Sequence, residues 1–250
     1  MESNIWKENF PIRSYEVDCG GRLSIISIIN FMQEAASKHA DALGVSIQQL
    51  LAEDFTWLLS RLKIKMNTYP LWTDELTVHT WPSGTQRLFA LRDFHLKDQN
   101  QNDVGAALSA WLVIDTIKRR PVRISRIVDR LKPIDGHHIL ADQLDKLPKV
   151  ESYTDERFFR VRYRDLDINR HVNNASYVEW MLEGMPADTQ NELRLLELEI
   201  NFLAESFLQD RIIARCQSQD STPPVFQHVL LREQDGQELV RARTVWRKVD

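Results

Sequence analysis

Apolar residues recur at two spacings along this chain, and the same succession of spacings runs through it twice. From Ile25 to Gly44, the residues Ile28, Ile29, Met32, Ala35 and Ala36 fall at helical intervals, and Gly44 stands where a helix would stop. A second such segment runs from Asn173 to Met185, with Asn173 or Asn174 as its N-cap, because an amide oxygen can accept a free backbone N–H there. Each helix is followed by alternation. Leu62-Lys63-Ile64-Lys65-Met66 and Leu198-Glu199-Ile200-Asn201-Phe202 alternate apolar and polar, the mark of a half-buried strand. Further strands are predicted over 76–81, 88–96 and 106–114, and again over 212–216, 226–232 and 239–249, with Asp235-Gly236 as a hairpin turn. One long helix with an antiparallel sheet, twice over, predicts an α+β fold.

The residues themselves repeat. At an offset of 149, Asp18 meets Asp167, Ser27 meets Ser176, Phe31 meets Trp180, Met32 meets Met181 and Glu34 meets Glu183. At 136, Leu59 to Ile64 meets Leu195 to Ile200 and Asp74 meets Asp210; at 135, Trp111 meets Trp246 and Asp115 meets Asp250. A shrinking offset between fixed blocks is what shorter surface loops in the second copy would produce. The expected organisation is therefore 1–117 and 157–250 as two copies of one domain. A charged, proline-bearing segment, 118–156, connects them (Pro121, Pro133, Pro148).

Composition narrows the function. Of 250 residues, 43% are hydrophobic and 27% charged, which is a globular balance, and the net charge of −4 gives no field that draws nucleic acid. No apolar run approaches the roughly 20 residues of a membrane span, and the start of the chain shows no secretory signal. Two cysteines far apart, Cys19 and Cys216, suit a reducing compartment, so a cytoplasmic location is expected. No phosphate-cradling glycine loop, nucleophile elbow or zinc-type cysteine set is present, and no metal or cofactor is expected.

The copies differ where chemistry would sit. Arg164 to Asn174 gathers Asp167, Asn169, His171, Asn173 and Asn174 just before a helix, whereas the first copy keeps Asp18 but has Gly20 for Asn169 and Arg22 for His171. Capping and turn formation is one reading of such a cluster; an active site confined to the second copy is the other.

These residues resemble the acyl-acyl-carrier-protein (acyl-ACP) thioesterases of the plant type, also found in bacteria. The resemblance is carried by Asp165-Leu166-Asp167-Ile168-Asn169-Arg170-His171-Val172-Asn173-Asn174 with Tyr177, Trp180 and Glu183. Tyr69 to Asp74, Trp81, Trp111 and Arg119-Arg120 carry it in the first copy. It implies a tandem double hot-dog, two antiparallel sheets each wrapped around a long helix, paired as an intrachain pseudo-dimer. It implies Asp167, Asn169, His171 and Glu205 as the catalytic set. Where many members of the family have Cys after that Glu, this chain has Ser206, so a thiolate there is not required.

On that resemblance the expected reaction is hydrolysis of fatty acyl-ACP in fatty acid biosynthesis. Glu205 would be general base, His171 and Asn169 would orient water and carbonyl, and backbone N–H groups at Asn173 and Asn174 would hold the oxyanion. Whether Asp167 or Glu205 is the base stays open at this stage. Ile28 and Met32 of the first copy are the candidates for binding the acyl chain. Acyl carrier protein is the expected partner, and a homodimer is left open. The basic run Lys118 to Arg123 reads either as its docking site or as a solvated linker. Two rival activities are an acyl-CoA thioesterase and a hot-dog enoyl-thioester hydratase. The hydratase pattern, however, has Pro after the Asn and two further residues before the His, whereas here Arg170 alone separates Asn169 from His171.

Overall fold

The structure, a computed structural model, describes residues 4–134, 136–141, 144–186 and 189–248. The chain divides into two compact units, Met1–Leu144 and Asp145–Asp250. Val249 and Asp250, included above in a predicted strand and in the repeat, lie outside the described residues.

The first unit begins with strand β1 (Trp6–Pro11), followed by helix α1 (Ile25–Ala42) and the short α2 (Ile47–Leu51). Ser24 caps α1, its hydroxyl accepting the Ser27 N–H at 3.1 Å, and Gly44 takes φ +73° just beyond its end. The helix buries Ile28, Ile29, Met32, Ala35 and Ala36, the stripe its spacing predicts, and Phe31 as well. Then come β2 (Phe55–Met66), β3 (Glu75–Gln86), β4 (Phe89–Asp98), β5 (Asp103–Asp115) and β6 (Arg120–Val122). All pairings are antiparallel, in the order β1-β3-β4-β5-β2, with β6 on the end of β5.

Part of the segment read from sequence as a connection packs onto this unit through its described residues. After β6, the helix α3 (Val128–Leu131) brings Ile127 and Leu131 into a buried cluster with Val45, Leu50, Ala90 and Val113. Further on, Leu140 and Leu144 pack against Leu108 and Ala110. Apolar residues spaced among charges give this segment a face to bury, which its overall polarity conceals.

The second unit repeats the order: β7 (Asp155–Arg160), α4 (Asn174–Glu183), α5 (Thr189–Glu192), β8 (Leu193–Phe202), β9 (Arg211–Gln219), β10 (Val225–Arg232) and β11 (Glu238–Lys248). Its sheet runs β7-β9-β10-β11-β8, the first unit's topology strand for strand. Asn173 is the N-cap of α4, accepting the Ala175 N–H at 2.9 Å. The chain is a tandem double hot-dog. No helix among the described residues is long and apolar enough to cross a membrane.

Candidate active site

Between β7 and α4 the chain folds back on itself through a tight turn. Asp167 Oδ1 accepts the N–H groups of Asn169 at 2.8 Å and His171 at 3.1 Å, while the Asp167 N–H donates to the His171 carbonyl at 2.8 Å. Arg170 sits at the turn with φ +63°. The first unit contains the same turn. Asp18 Oδ1 accepts from Gly20 at 2.8 Å and Arg22 at 3.0 Å, the Asp18 N–H donates to the Arg22 carbonyl at 2.7 Å, and Gly21 takes φ +71°. The aspartate thus holds the turn in both units, with or without the amide and the imidazole.

The second half of the site comes from the loop after β8. His171 Nδ1 lies 3.5 Å from Glu205 Oε1, and the two side chains are 41% and 38% exposed. The imidazole meets the Phe207 ring edge-on, with centroids 5.6 Å apart. At 3.5 Å the His171–Glu205 contact is longer than an ordinary hydrogen bond, and catalytic hydrogen bonds are often long before substrate arrives. The loop is tethered at both ends: Asp210 Oδ2 accepts the Phe207 N–H at 2.9 Å, and Arg232 Nη1 donates to the Glu205 carbonyl at 3.2 Å.

Asn169 keeps its side-chain amide without a partner among the described residues, so it can donate to a ligand. At the helix start, the N–H groups of Asn173, Ala175 and Ser176 are engaged by Asp165 O, Asn173 Oδ1 and Asn173 O. The Asn174 N–H alone has no acceptor among the described residues. Of the expected residues, His171 meets Glu205 and Asp167 holds the turn that carries His171, while the Asn169 amide and the Asn174 N–H are unengaged among the described residues. Ile28 and Met32 are buried on α1 of the first unit.

Sequence reasoning gave Ser206 only a negative role and Tyr177 none. Ser206 is completely buried and Tyr177 nearly so. The Ser206 N–H donates to the Tyr177 oxygen at 2.9 Å, and the two hydroxyls are 2.8 Å apart. Burial raises the pKa of the Tyr177 phenol, with the Ser206 bonds opposing, so it stays protonated. The signal was available in the repeat: the same offsets place Ile28 opposite Tyr177 and Pro70 opposite Ser206, an apolar pair for a polar one. Among the described residues, no group of His, Cys, Asp and Glu side chains could hold a metal.

Residues 3–130 match the family model described as acyl-ACP thioesterase N-terminal domain, and residues 149–248 match the acyl-ACP thioesterase C-terminal domain. The chain is 30% identical over 259 residues to the chloroplastic palmitoyl-acyl carrier protein thioesterase of Cuphea hookeriana. That match takes in 97% of this chain and 62% of that protein, so the chain spans less than two thirds of its relative's length. Among solved structures, the acyl-ACP thioesterase from Bacteroides thetaiotaomicron superposes with a TM-score of 0.86 at 27% identity, covering 98% of this chain and 99% of that one. The 12:0-ACP thioesterase from Umbellularia californica superposes at 0.88 with 24% identity, covering 100% and 99%, and shows the same fold.

Proposed function

The chain belongs to the acyl-ACP thioesterase family, and from that premise we propose that it hydrolyses fatty acyl-ACP to free fatty acid and carrier protein in fatty acid biosynthesis. The observation that carries this reading is the His171–Glu205 contact at 3.5 Å, formed only in the copy that also keeps Asn169. In the first unit Arg22 and Tyr69 stand at those two positions.

The bonds support a division of labour. Two backbone donors on Asp167 Oδ1 tie that carboxylate to the turn, which supports Glu205 as the base. Glu205 takes a proton from water as the water oxygen attacks the thioester carbonyl carbon. His171 orients the carboxylate and shares the proton. The oxyanion is met by the Asn169 amide and the Asn174 N–H, where the start of α4 favours negative charge. Collapse breaks the carbon–sulfur bond, and the proton returns to the departing thiolate. Ile28 and Met32 supply apolar surface for the acyl chain. Lys118, Arg119, Arg120 and Arg123 are all exposed around β6 and complement an acidic carrier.

The test is fatty acid release from one acyl group presented on carrier protein and on coenzyme A, with wild type and Glu205→Gln. The reading requires carrier-borne substrate to have the higher kcat/KM and Glu205→Gln to lose it. Equal or better turnover of acyl-CoA would replace the donor. Formation of a hydroxyacyl product from an enoyl thioester would replace the reaction.

A further inference from the structure

We propose that Tyr177 and Ser206 are positioning residues for this reaction: the buried Tyr177 hydroxyl fixes the Glu205–Ser206 backbone so that the Glu205 carboxylate stands beside His171. The inference rests on the reading of Glu205 as base.

Three bonds place Ser206 between the two reacting side chains. Its N–H, directly after Glu205, donates to Tyr177 at 2.9 Å, and its hydroxyl lies 2.8 Å from the same oxygen. Its carbonyl accepts at 3.4 Å from the N–H of Val172, the residue directly after His171. Movement of the Ser206 peptide therefore moves Glu205 relative to His171. Arg232, on the Glu205 carbonyl, restrains the preceding peptide.

The first unit separates what the fold needs from what this pair adds. There the Leu23 N–H donates to the Pro70 carbonyl at 2.8 Å, the counterpart of Val172 to Ser206. The loop is thus joined to the turn without a counterpart of Tyr177. Ile28 takes the place of Tyr177, and Pro70 has no N–H to satisfy. The phenol and its N–H partner occur together in the unit with the imidazole and the carboxylate, and are replaced together in the unit without them. The Tyr177 oxygen is engaged by both the N–H and the hydroxyl of Ser206, so its effect passes through the backbone it holds.

The experiment compares Tyr177→Phe, Tyr177→Phe with Ser206→Pro, Glu205→Gln, and Tyr177→Phe with Glu205→Gln, reading kcat, KM, the pH–rate profile and Tm. Tyr177→Phe should lower kcat by at least about tenfold with KM within about threefold, and move the limb of the pH–rate profile that reports the base. Adding Ser206→Pro removes the stranded N–H and should restore Tm but not kcat. On the Glu205→Gln background, Tyr177→Phe should cost little more, because the group it positions is gone. A Tyr177→Phe enzyme with wild-type kcat beside an inactive Glu205→Gln overturns the proposal, as does recovery of kcat together with Tm in the Ser206→Pro combination. Full activity in Glu205→Gln instead overturns the assignment of the base, and this proposal falls with it.

Discussion

Asp18 and Asp167 make the same two bonds, each Oδ1 accepting the N–H groups two and four residues ahead at 2.8 Å and 3.0–3.1 Å. Since Asp18 has neither an imidazole nor an amide at the matching positions, this geometry serves the turn in both units. Asp18→Ala should lower unfolding free energy by about 1 kcal/mol, the usual net worth of such bonds, with kcat unchanged. Asp167→Asn, which keeps the acceptor oxygen, should retain far more activity than Asp167→Ala. Urea unfolding and steady-state kinetics on the four proteins check this; loss of all activity in Asp167→Asn would return the base to Asp167.

Glu205→Ala and His171→Ala should each reduce kcat by about 10²–10⁴, the range for losing a general base or its partner. The double variant should lose little beyond the worse single one, because residues acting as one unit are not additive. Single-turnover hydrolysis with circular dichroism as the folding control decides it, and near-wild-type rates in both single variants would remove the site.

Neither cysteine is expected to take part in hydrolysis. Burial, with Asp155 adding to it, pushes the Cys216 thiol up to about 12, so it stays protonated, while Cys19 is exposed. A thiol reagent should label Cys19 and leave Cys216 until the protein unfolds, and Cys19→Ser and Cys216→Ala should both hydrolyse substrate. Mass spectrometry of labelled protein with and without substrate is the check.

Met32→Trp should shorten the preferred acyl chain. Each excluded methylene forfeits about 0.8 kcal/mol, so two or three shift selectivity by more than about tenfold. Met32 is also buried in the helix face, and overpacking there should cost about 1–3 kcal/mol of stability. A hydrolysis profile across chain lengths separates the effects: a uniform fall at every length would assign Met32 to the core alone.

Two buried histidines give the fold an acid limit. Burial, with Arg92 adjacent, lowers His39 to about 4, and burial lowers His228 to about 3, against an ordinary value of 6.5. Both are depressed in the folded state, so the unfolded chain takes up protons first. The stability they contribute is complete above pH 6.5 and is lost as pH falls towards 4 and 3. Each adds a slope of at most about 1.4 kcal/mol per pH unit. His228→Gln, which can still meet Thr244, should flatten this dependence in urea titrations between pH 7.5 and 5; an unchanged slope would show that His228 does not carry it.

Much of this was legible in the residues. Helices α1 and α4 and the strands with clear alternation follow from periodicity and capping. Strands β1 and β7 were not predicted, because Trp6–Pro11 and Asp155–Arg160 are edge strands with charged residues on their solvent side. The strands run longer than their alternation; β2 begins at Phe55 rather than Leu62, since pairing with β5 continues past the half-buried stretch. Residues 118–131 read as a connection because charge hides Ile124, Ile127 and Leu131, whose burial only tertiary contact reveals. Asp167, Asn169, His171 and Glu205 could be named from the resemblance. That the first is a turn former and that Tyr177 lies under Ser206 required coordinates, because those partners are 29 residues apart.

The Tyr177–Ser206 pair also constrains how one copy can become the other. Replacing the phenol alone strands a buried N–H, at about 1–3 kcal/mol. Replacing the serine by proline alone strands a buried phenol, at a similar cost. The arrangement in the first unit, Ile28 with Pro70, has neither defect, yet each single step from the polar pair towards it passes through a weakened protein. The two states are separated by a barrier in sequence space, and the half-changed forms on it are the least stable. A chain that has crossed to the apolar pair acts as if behind a ratchet: regaining the polar pair would mean losing stability before gaining any catalytic return.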